Sequence, residues 1–352
     1  MRARIIAGLV LLLAAAGPAC AAEVLDHAPA EAALGRAREF LLTQQKPDGS
    51  ITDGGNPHAM TALALLALAA TGQQPTDTSR EGEAMRRALG YLLDEKRARE
   101  NGYYGSDGSR MYGHGIVSVA LAEMLGMGVD AAQDRLIRQR LTKALELILW
   151  AQDRKEKADE EHYGGWRYEP DAKDSDLSIS IWQLLALRAA ENAGLTVPKS
   201  AIDKGVVYVR RLYKPVEGKH EGKGGACRYQ KGRGPEFSAA SAGLMALQAC
   251  GIYDGPEVQG SVEWLRARRP TWDDRWVFYG TYYYAQGMYQ RDGEIAAQAW
   301  REVTGLLLPR QEQNGSWRAT RDEEERAGRV YSTSMAMLSL AVYQHLLPIF
   351  QR

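Results

Sequence analysis

Two kinds of helical segment alternate along this chain, and the alternation restricts the fold more than any other feature. One kind carries apolar residues on a single stripe. Met85, Ala88, Leu89 and Leu92 recur at helical spacing, as do Leu141, Ala144, Leu145, Ile148 and Leu149. Such a helix has one buried face and one wet face. The other kind is apolar nearly all round, as in residues 59–72 (AMTALALLALAATG) and 238–251 (SAASAGLMALQACG), and other helices must surround it. The phrase of amphipathic helix, Gly-rich loop, Ala/Ser/Leu-rich helix and glycine recurs about six times, every roughly 40 to 65 residues, as in stacked helical pairs. Gly72, Gly128, Gly194, Gly251 and Gly293 follow the apolar helices, where a left-handed cap favours a residue without Cβ.

An open solenoid would end in polar caps and bury its two helix classes more equally. The inequality here favours a ring in which small-residue-rich inner helices crowd around an axis. The expected fold class is therefore all-α, an α6/α6 toroid of six helical hairpins forming one domain over residues 22–352.

Residues 1–21 stand apart. Arg2 and Arg4 precede an apolar stretch from Ile5 to Ala16, Gly17-Pro18 breaks it, and Ala19-Cys20-Ala21 has the small-x-small pattern of a processing site. This reads as a signal peptide and predicts an exported protein, periplasmic or secreted. Gly17, three residues before Cys20, argues against acylation of that cysteine as a lipoprotein. No later stretch is apolar over the ~20 residues a transmembrane helix needs. Lys plus Arg (44) equals Asp plus Glu (44), so no global field points to nucleic acid or an anionic membrane as partner. Cys227 and Cys250 are expected at opposite ends of one helix and unpaired.

The loops carry a family resemblance. Gln311-Glu-Gln-Asn-Gly315-Ser-Trp317 resembles the Q-x-x-x-G-x-W signature of squalene and hopene cyclases, and Gln45-Lys-Pro-Asp-Gly49-Ser-Ile51 is a weaker copy. Gly164-Gly165-Trp166-Arg167-Tyr168 followed by Asp174-Ser-Asp176-Leu-Ser178 resembles the G-G-W-x-[FY] loop that leads, in those cyclases, into D-x-D-D-[TS] at the start of an inner helix. The chain is also similar to the ring-shaped subunit of protein prenyltransferases. The resemblance implies the terpenoid cyclase/prenyltransferase-like toroid. The Gln can bond exposed carbonyls at an outer-helix end, the Gly allows the reversal, and the indole packs over the next inner helix. That element concerns fold rather than chemistry.

A toroid brings the N-terminal ends of its inner helices to one pole. The residues expected there are His58, Tyr112 with His114, Asp174 with Asp176, Glu236, Tyr282 to Tyr284, and Ser332 with Ser334. The resemblance implies a general acid at Asp176; Asp174 and His114 are further catalytic candidates, and the shared pole would let His58 or His114 hydrogen-bond to the acid and tune it. Leu177 stands where the family has its final Asp, and only four Phe are available to stabilise carbocations. A second reading gathers His58, His114 and a carboxylate around zinc. The Asp-x-Cys pair that holds zinc in prenyltransferases is missing around Cys227, and neither metal nor cofactor is expected. A third reading makes Asp174, Asp176, Ser178, Ser238 and Ser332 helix caps and the histidines loop fillers. His58, Tyr112, Trp182, Glu236 and Tyr283 are the ligand-binding candidates. The expected partner is a hydrophobic, isoprenoid-like small molecule or a protein. The alternatives are an extracellular polysaccharide lyase or hydrolase, with Tyr112 or Tyr283 as base, and a non-catalytic scaffold. Lys214 to Arg233 and Asp322 to Arg326 are expected to be solvated loops.

Overall fold

Six mostly apolar segments form the inner helices, α2 (Pro57–Ala70), α4 (Arg110–Met124), α6 (Leu177–Asn192), α8 (Phe237–Ala249), α10 (Val277–Tyr289) and α13 (Arg329–Leu340). They come from a computed structural model that describes residues 25–216 and 224–351, so the signal-peptide reading of residues 1–21 lies outside the described residues. Each inner helix packs on two others, in the cyclic order α2, α4, α6, α8, α10, α13 and back to α2. The ring is closed. Six outer helices surround it: α1 (Ala28–Thr43), α3 (Arg80–Leu93), α5 (Ala131–Gln152), α7 (Lys199–Leu212), α9 (Pro256–Arg266) and α11 (Gly293–Leu307).

The hairpins are shifted by one helix from the sequence reading. Each outer helix packs most closely on the inner helix before it, as α3 does on α2 and α5 on α4. α1 has no inner helix before it and packs on α13, so the two ends of the chain share the closing hairpin. Three smaller differences follow from local chemistry. The left-handed residue after α4 is Gly126 (φ 90°), not Gly128; the N–H groups of both glycines bond to the Asp134 carboxylate instead. Asp322–Ala327 forms a short helix, α12, and Tyr213–Pro215 (β1) pairs antiparallel with Gly225–Cys227 (β2) where loops were expected. Tyr282 to Tyr284 lie more than a turn inside α10, because that helix starts at Val277.

The loops entering the inner helices hold the two rings together. Gln45 Nε2 donates to the carbonyls of Gly49 (3.1 Å) and Ala84 (2.8 Å). Gln152 does the same to Gly164 (3.0 Å) and Ala201 (2.9 Å), and Gln311 to Gly315 (2.9 Å) and Ala33 (2.8 Å). In every copy the second carbonyl belongs to the next outer helix. The glycines are left-handed (φ 92°, 88° and 86°) and press on that helix: a Cβ would lie 2.4, 2.2 and 2.2 Å from the carbonyl oxygens of Arg87, Lys204 and Arg36. Any other residue would be strained and would clash. Two residues on, the backbone N–H of Ile51, Trp166 and Trp317 donates to the hydroxyls of Thr61, Ser180 and Thr333 on the inner helix, at 3.0, 2.9 and 3.1 Å. The indoles of Trp166 and Trp317 donate back to Ile148 and Leu307, both at 2.8 Å. Each bond stabilises by about 1 kcal/mol net and prevents a larger loss from unsatisfied buried groups.

Candidate functional site: a cavity on the ring axis

Because every inner helix turns one face to the axis, residues spaced four apart line up along it. Ala59 and Leu63, Tyr112 and Ile116, Ser178 and Trp182, Ser238 and Ala242, and Tyr331 and Met335 all line a cavity of about 560 Å³. That size lies within the roughly 300–1,000 Å³ typical of small-molecule sites. The wall is drawn from the first turns of all six inner helices. Its bottom is apolar, with Met60, Leu63, Ile116, Ala242 and Met335. Below, the axis is filled. Trp182 stacks on Tyr282 (6.0 Å between ring centres, 9° between planes) and meets Tyr283 edge-on, and Tyr282 contacts Phe350 from the C-terminal turn. The mouth has exposed Arg110, Arg233, Arg275, Glu236 and Glu323.

Between bottom and mouth lies a belt of tyrosines: Tyr112, Tyr168, Tyr229, Tyr279 and Tyr331. The backbone explains why loop tyrosines join helical ones. The carbonyl of Tyr168 accepts the N–H of Met111 at the start of α4, and that of Tyr229 accepts the N–H of Leu177 at the start of α6, both at 3.0 Å. Burial pushes the phenols of Tyr112, Tyr279 and Tyr331 well above their ordinary pKa, so all three are neutral.

Asp176 lies behind this wall. It is fully buried and caps α6, with Oδ1 accepting from the N–H of Ile179 (2.9 Å) and the hydroxyl of Ser178 (2.7 Å). Oδ2 receives the Arg167 guanidinium, which also bonds to Tyr229 and pairs with the half-buried Asp174 at 3.0 Å. Neither aspartate lines the cavity.

The histidines are placed elsewhere. His114 is buried, accepts the N–H of Tyr104 at Nδ1 (3.3 Å) and donates from Nε2 to the carbonyl of Ala144 (3.0 Å). It stands where Thr61, Ser180 and Thr333 stand in other repeats. Burial lowers its pKa to about 4. His58 bonds through Nδ1 to the carbonyl of the same Tyr104 at 2.8 Å. The expected approach of these rings to Asp176 is therefore not found: both bond to Tyr104 in the loop between α3 and α4, and His114 also to α5. Among the described residues, possible ligand atoms of Asp159, Glu161 and His162 come within 4.8 Å of one another. His162 Nδ1 already takes the N–H of Ser175, and Glu161 is paired with Lys231.

Of the binding candidates read from sequence, Tyr112, Trp182 and Glu236 line the cavity. Glu236 precedes α8 but makes no side-chain cap. Tyr283 occupies the axial face one turn below Tyr279 and is sealed under Trp182. Sequence reasoning missed Tyr168, Tyr229, Tyr331 and Trp276 as lining residues, and Tyr279 is legible only as one of an aromatic cluster with Tyr282 to Tyr284. Tyr112, Tyr279 and Tyr331 are each the third residue of their helix, a register that becomes readable only once the helix starts are known.

Several solved structures share this architecture. The type II terpene cyclase MstE from Scytonema superposes with a TM-score of 0.59 at 16% identity, covering 92% of this chain and 100% of its own. The fold is the α/α toroid. The cellobiose 2-epimerase from Bacillus thermoamylovorans (TM-score 0.58, 11% identity, 88% of this chain and 99% of that one) and a D-mannose isomerase (0.58, 13%, 90% and 97%) have the same toroid. A further structure of the Scytonema cyclase is a complex with geranylgeranyl dihydroxybenzoate (0.53, 17%, 91% and 99%). No family model and no curated protein matches the sequence. These likenesses establish the toroid and leave the chemistry to the residues of this cavity.

Proposed function

We propose that this toroid binds an elongated hydrophobic small molecule, isoprenoid-like in shape, along its axis. The observation that carries the reading is the cavity itself: a blind apolar pocket under a tyrosine belt, walled by all six inner helices. A pocket with few convergent polar groups is the usual form of a small-molecule site. The Scytonema cyclase, known in complex with geranylgeranyl dihydroxybenzoate, adds support for a prenyl chain as occupant. The reading gives Tyr112, Trp182 and Glu236 contact with the ligand. Acid chemistry of the cyclase type would need a proton aimed into the pocket, and Asp176, which does not line it, gives its oxygens to three protein donors. Binding is therefore proposed as the primary role. The sequence reading of residues 1–21 adds that it occurs after export.

Titration with geranylgeraniol, followed by tryptophan fluorescence, tests this. Saturable binding is expected, and Ala242→Phe, which fills the bottom of the cavity, should abolish it. Binding that is unsaturable, or unchanged in Ala242→Phe with the fold intact by circular dichroism, overturns the reading. Incubation with squalene or geranylgeraniol and a search for isomers of unchanged mass tests catalysis separately. A carbohydrate reading draws on the belt of aromatic hydroxyls and the two exposed glutamates at the mouth, Glu236 and Glu323. Release of reducing ends from polysaccharide, lost in Glu236→Gln, would favour it over the prenyl reading.

A further inference from the structure

We infer that the cavity selects a ligand whose polar end donates hydrogen bonds, a hydroxyl or an ammonium group, and rejects carboxylate and phosphate ends. The inference rests on the binding reading above and concerns which headgroup that site accepts.

The argument follows the protons. Asp176 accepts from Ile179, Ser178 and Arg167, so its carboxylate has no proton to give. Ser178 spends its one hydroxyl proton on Asp176. Tyr112 is hydrogen-bonded to the same Ser178 oxygen and must be the donor there. What Tyr112 shows to the cavity is oxygen lone pairs. The same holds on α13, one helix away across α2. Glu324, buried on α12, accepts the N–H groups of Phe278 (3.2 Å) and Tyr279 (2.9 Å) and the hydroxyl of Tyr331 (3.1 Å). Tyr331 therefore also turns an acceptor to the cavity. Two phenols on the helices that flank α2, Tyr112 on α4 and Tyr331 on α13, are polarised by buried carboxylates behind them.

The helix ends agree. Six inner-helix N-termini at one pole would ordinarily attract an anion. Here protein acceptors already occupy most of them. Asp107 takes the N–H of His58 on α2 (2.7 Å), Asp53 those of Arg329 and Val330 on α13 (2.7 and 3.1 Å), and Glu324 those on α10. The carbonyls of Tyr168 and Tyr229 take those starting α4 and α6. At the mouth Arg110 is paired with Glu169 at 3.3 Å, and Arg233 and Arg275 share the rim with Glu236 and Glu323. On the arc from α13 through α2 to α4, an anionic end would meet the lone pairs of Tyr331 and Tyr112 with carboxylates behind them; a donor end would complete them.

The test compares one chain with five ends: geranylgeraniol, geranylgeranylamine, geranylgeranyl trimethylammonium, geranylgeranoic acid and geranylgeranyl phosphate, with Kd for each. The alcohol and the amine should bind about tenfold or more tighter than either anion, the size of one or two hydrogen bonds gained or left unmade. The trimethylammonium compound has charge without an N–H. Binding as tight as the amine would assign selection to the aromatic faces and overturn the donor inference. Tyr331→Phe and Tyr112→Phe keep the rings and should narrow the alcohol-to-acid ratio. Equal affinities across the series, or tighter anions, overturn the headgroup inference and leave the cavity reading standing. Failure of every compound to bind saturably overturns both.

Discussion

Glu123, buried near the C-terminal end of α4, accepts the backbone N–H of Ile349 at 3.2 Å, tying residues 226 positions apart. This contact seats the C-terminal turn Pro348–Phe350 under the axis, where Phe350 meets Tyr282. The second carboxylate oxygen of Glu123 has no partner, and burial pushes its pKa up from 4.5 to about 8. The glutamate is thus protonated in the folded protein at neutral pH.

A sign for pH dependence follows. Between 4.5 and about 8 the folded state holds a proton that the unfolded state releases, so stability falls as pH rises, by at most about 1.4 kcal/mol per unit. His114 works in the opposite direction below 6.5 and Lys157, lowered from 10.5 to about 8, above 8. The window from 6.5 to 8 therefore isolates Glu123. Urea unfolding at those two values should show a loss of stability in the native protein and almost none in Glu123→Gln. Equal slopes for the two proteins would reject this account.

His114 should be neutral throughout the physiological range, titrating in the folded state at about 4. Its folded pKa lies below the ordinary 6.5, so its contribution is present above that value and is lost as pH falls through about 4. His114→Ala leaves the buried Tyr104 N–H unsatisfied and opens a void, and should cost about 2 kcal/mol or more, with the affinity for geranylgeraniol unchanged. A lost ligand with an unchanged melting temperature would reverse the assignment.

Asp176→Asn should behave as a structural lesion. The amide cannot accept from Arg167, Ser178 and Ile179 together, and Arg167 keeps only the half-buried Asp174 as charge partner. A loss of about 3 kcal/mol is expected, read by denaturant unfolding. A melting temperature close to the native value with altered ligand retention would instead place Asp176 in the chemistry of the site.

Gln311→Leu leaves the carbonyls of Ala33 and Gly315 without their donor and should destabilise by about 1–3 kcal/mol. Because Ala33 is on α1, hydrogen exchange should accelerate in residues 28–43 before it does elsewhere. Unchanged protection of that helix would show that the loop does not close the ring.

Much of the architecture is written locally. Two amphipathic classes, left-handed glycines and the Gln-Gly-Trp loops depend on periodicity and backbone sterics, which neighbouring residues set among themselves. Six hairpins and a closed ring could therefore be read from the chain. The site was legible only in part. Tyr112, Trp182 and Glu236 stand near inner-helix starts that the pattern locates, and they do line the cavity. Asp174, Asp176, His58, His114 and Tyr283 have the same chemical types at neighbouring positions, yet they face the gaps between helices, neighbouring loops or the sealed axis. A rotation of about 100° per residue separates these outcomes, and a helix start misplaced by a few residues, as at α10, changes which ring looks into the pocket. Sequence determined which elements form and that they close. The direction each polar group faces, and so where its proton goes, was decided by packing between segments tens to hundreds of residues apart.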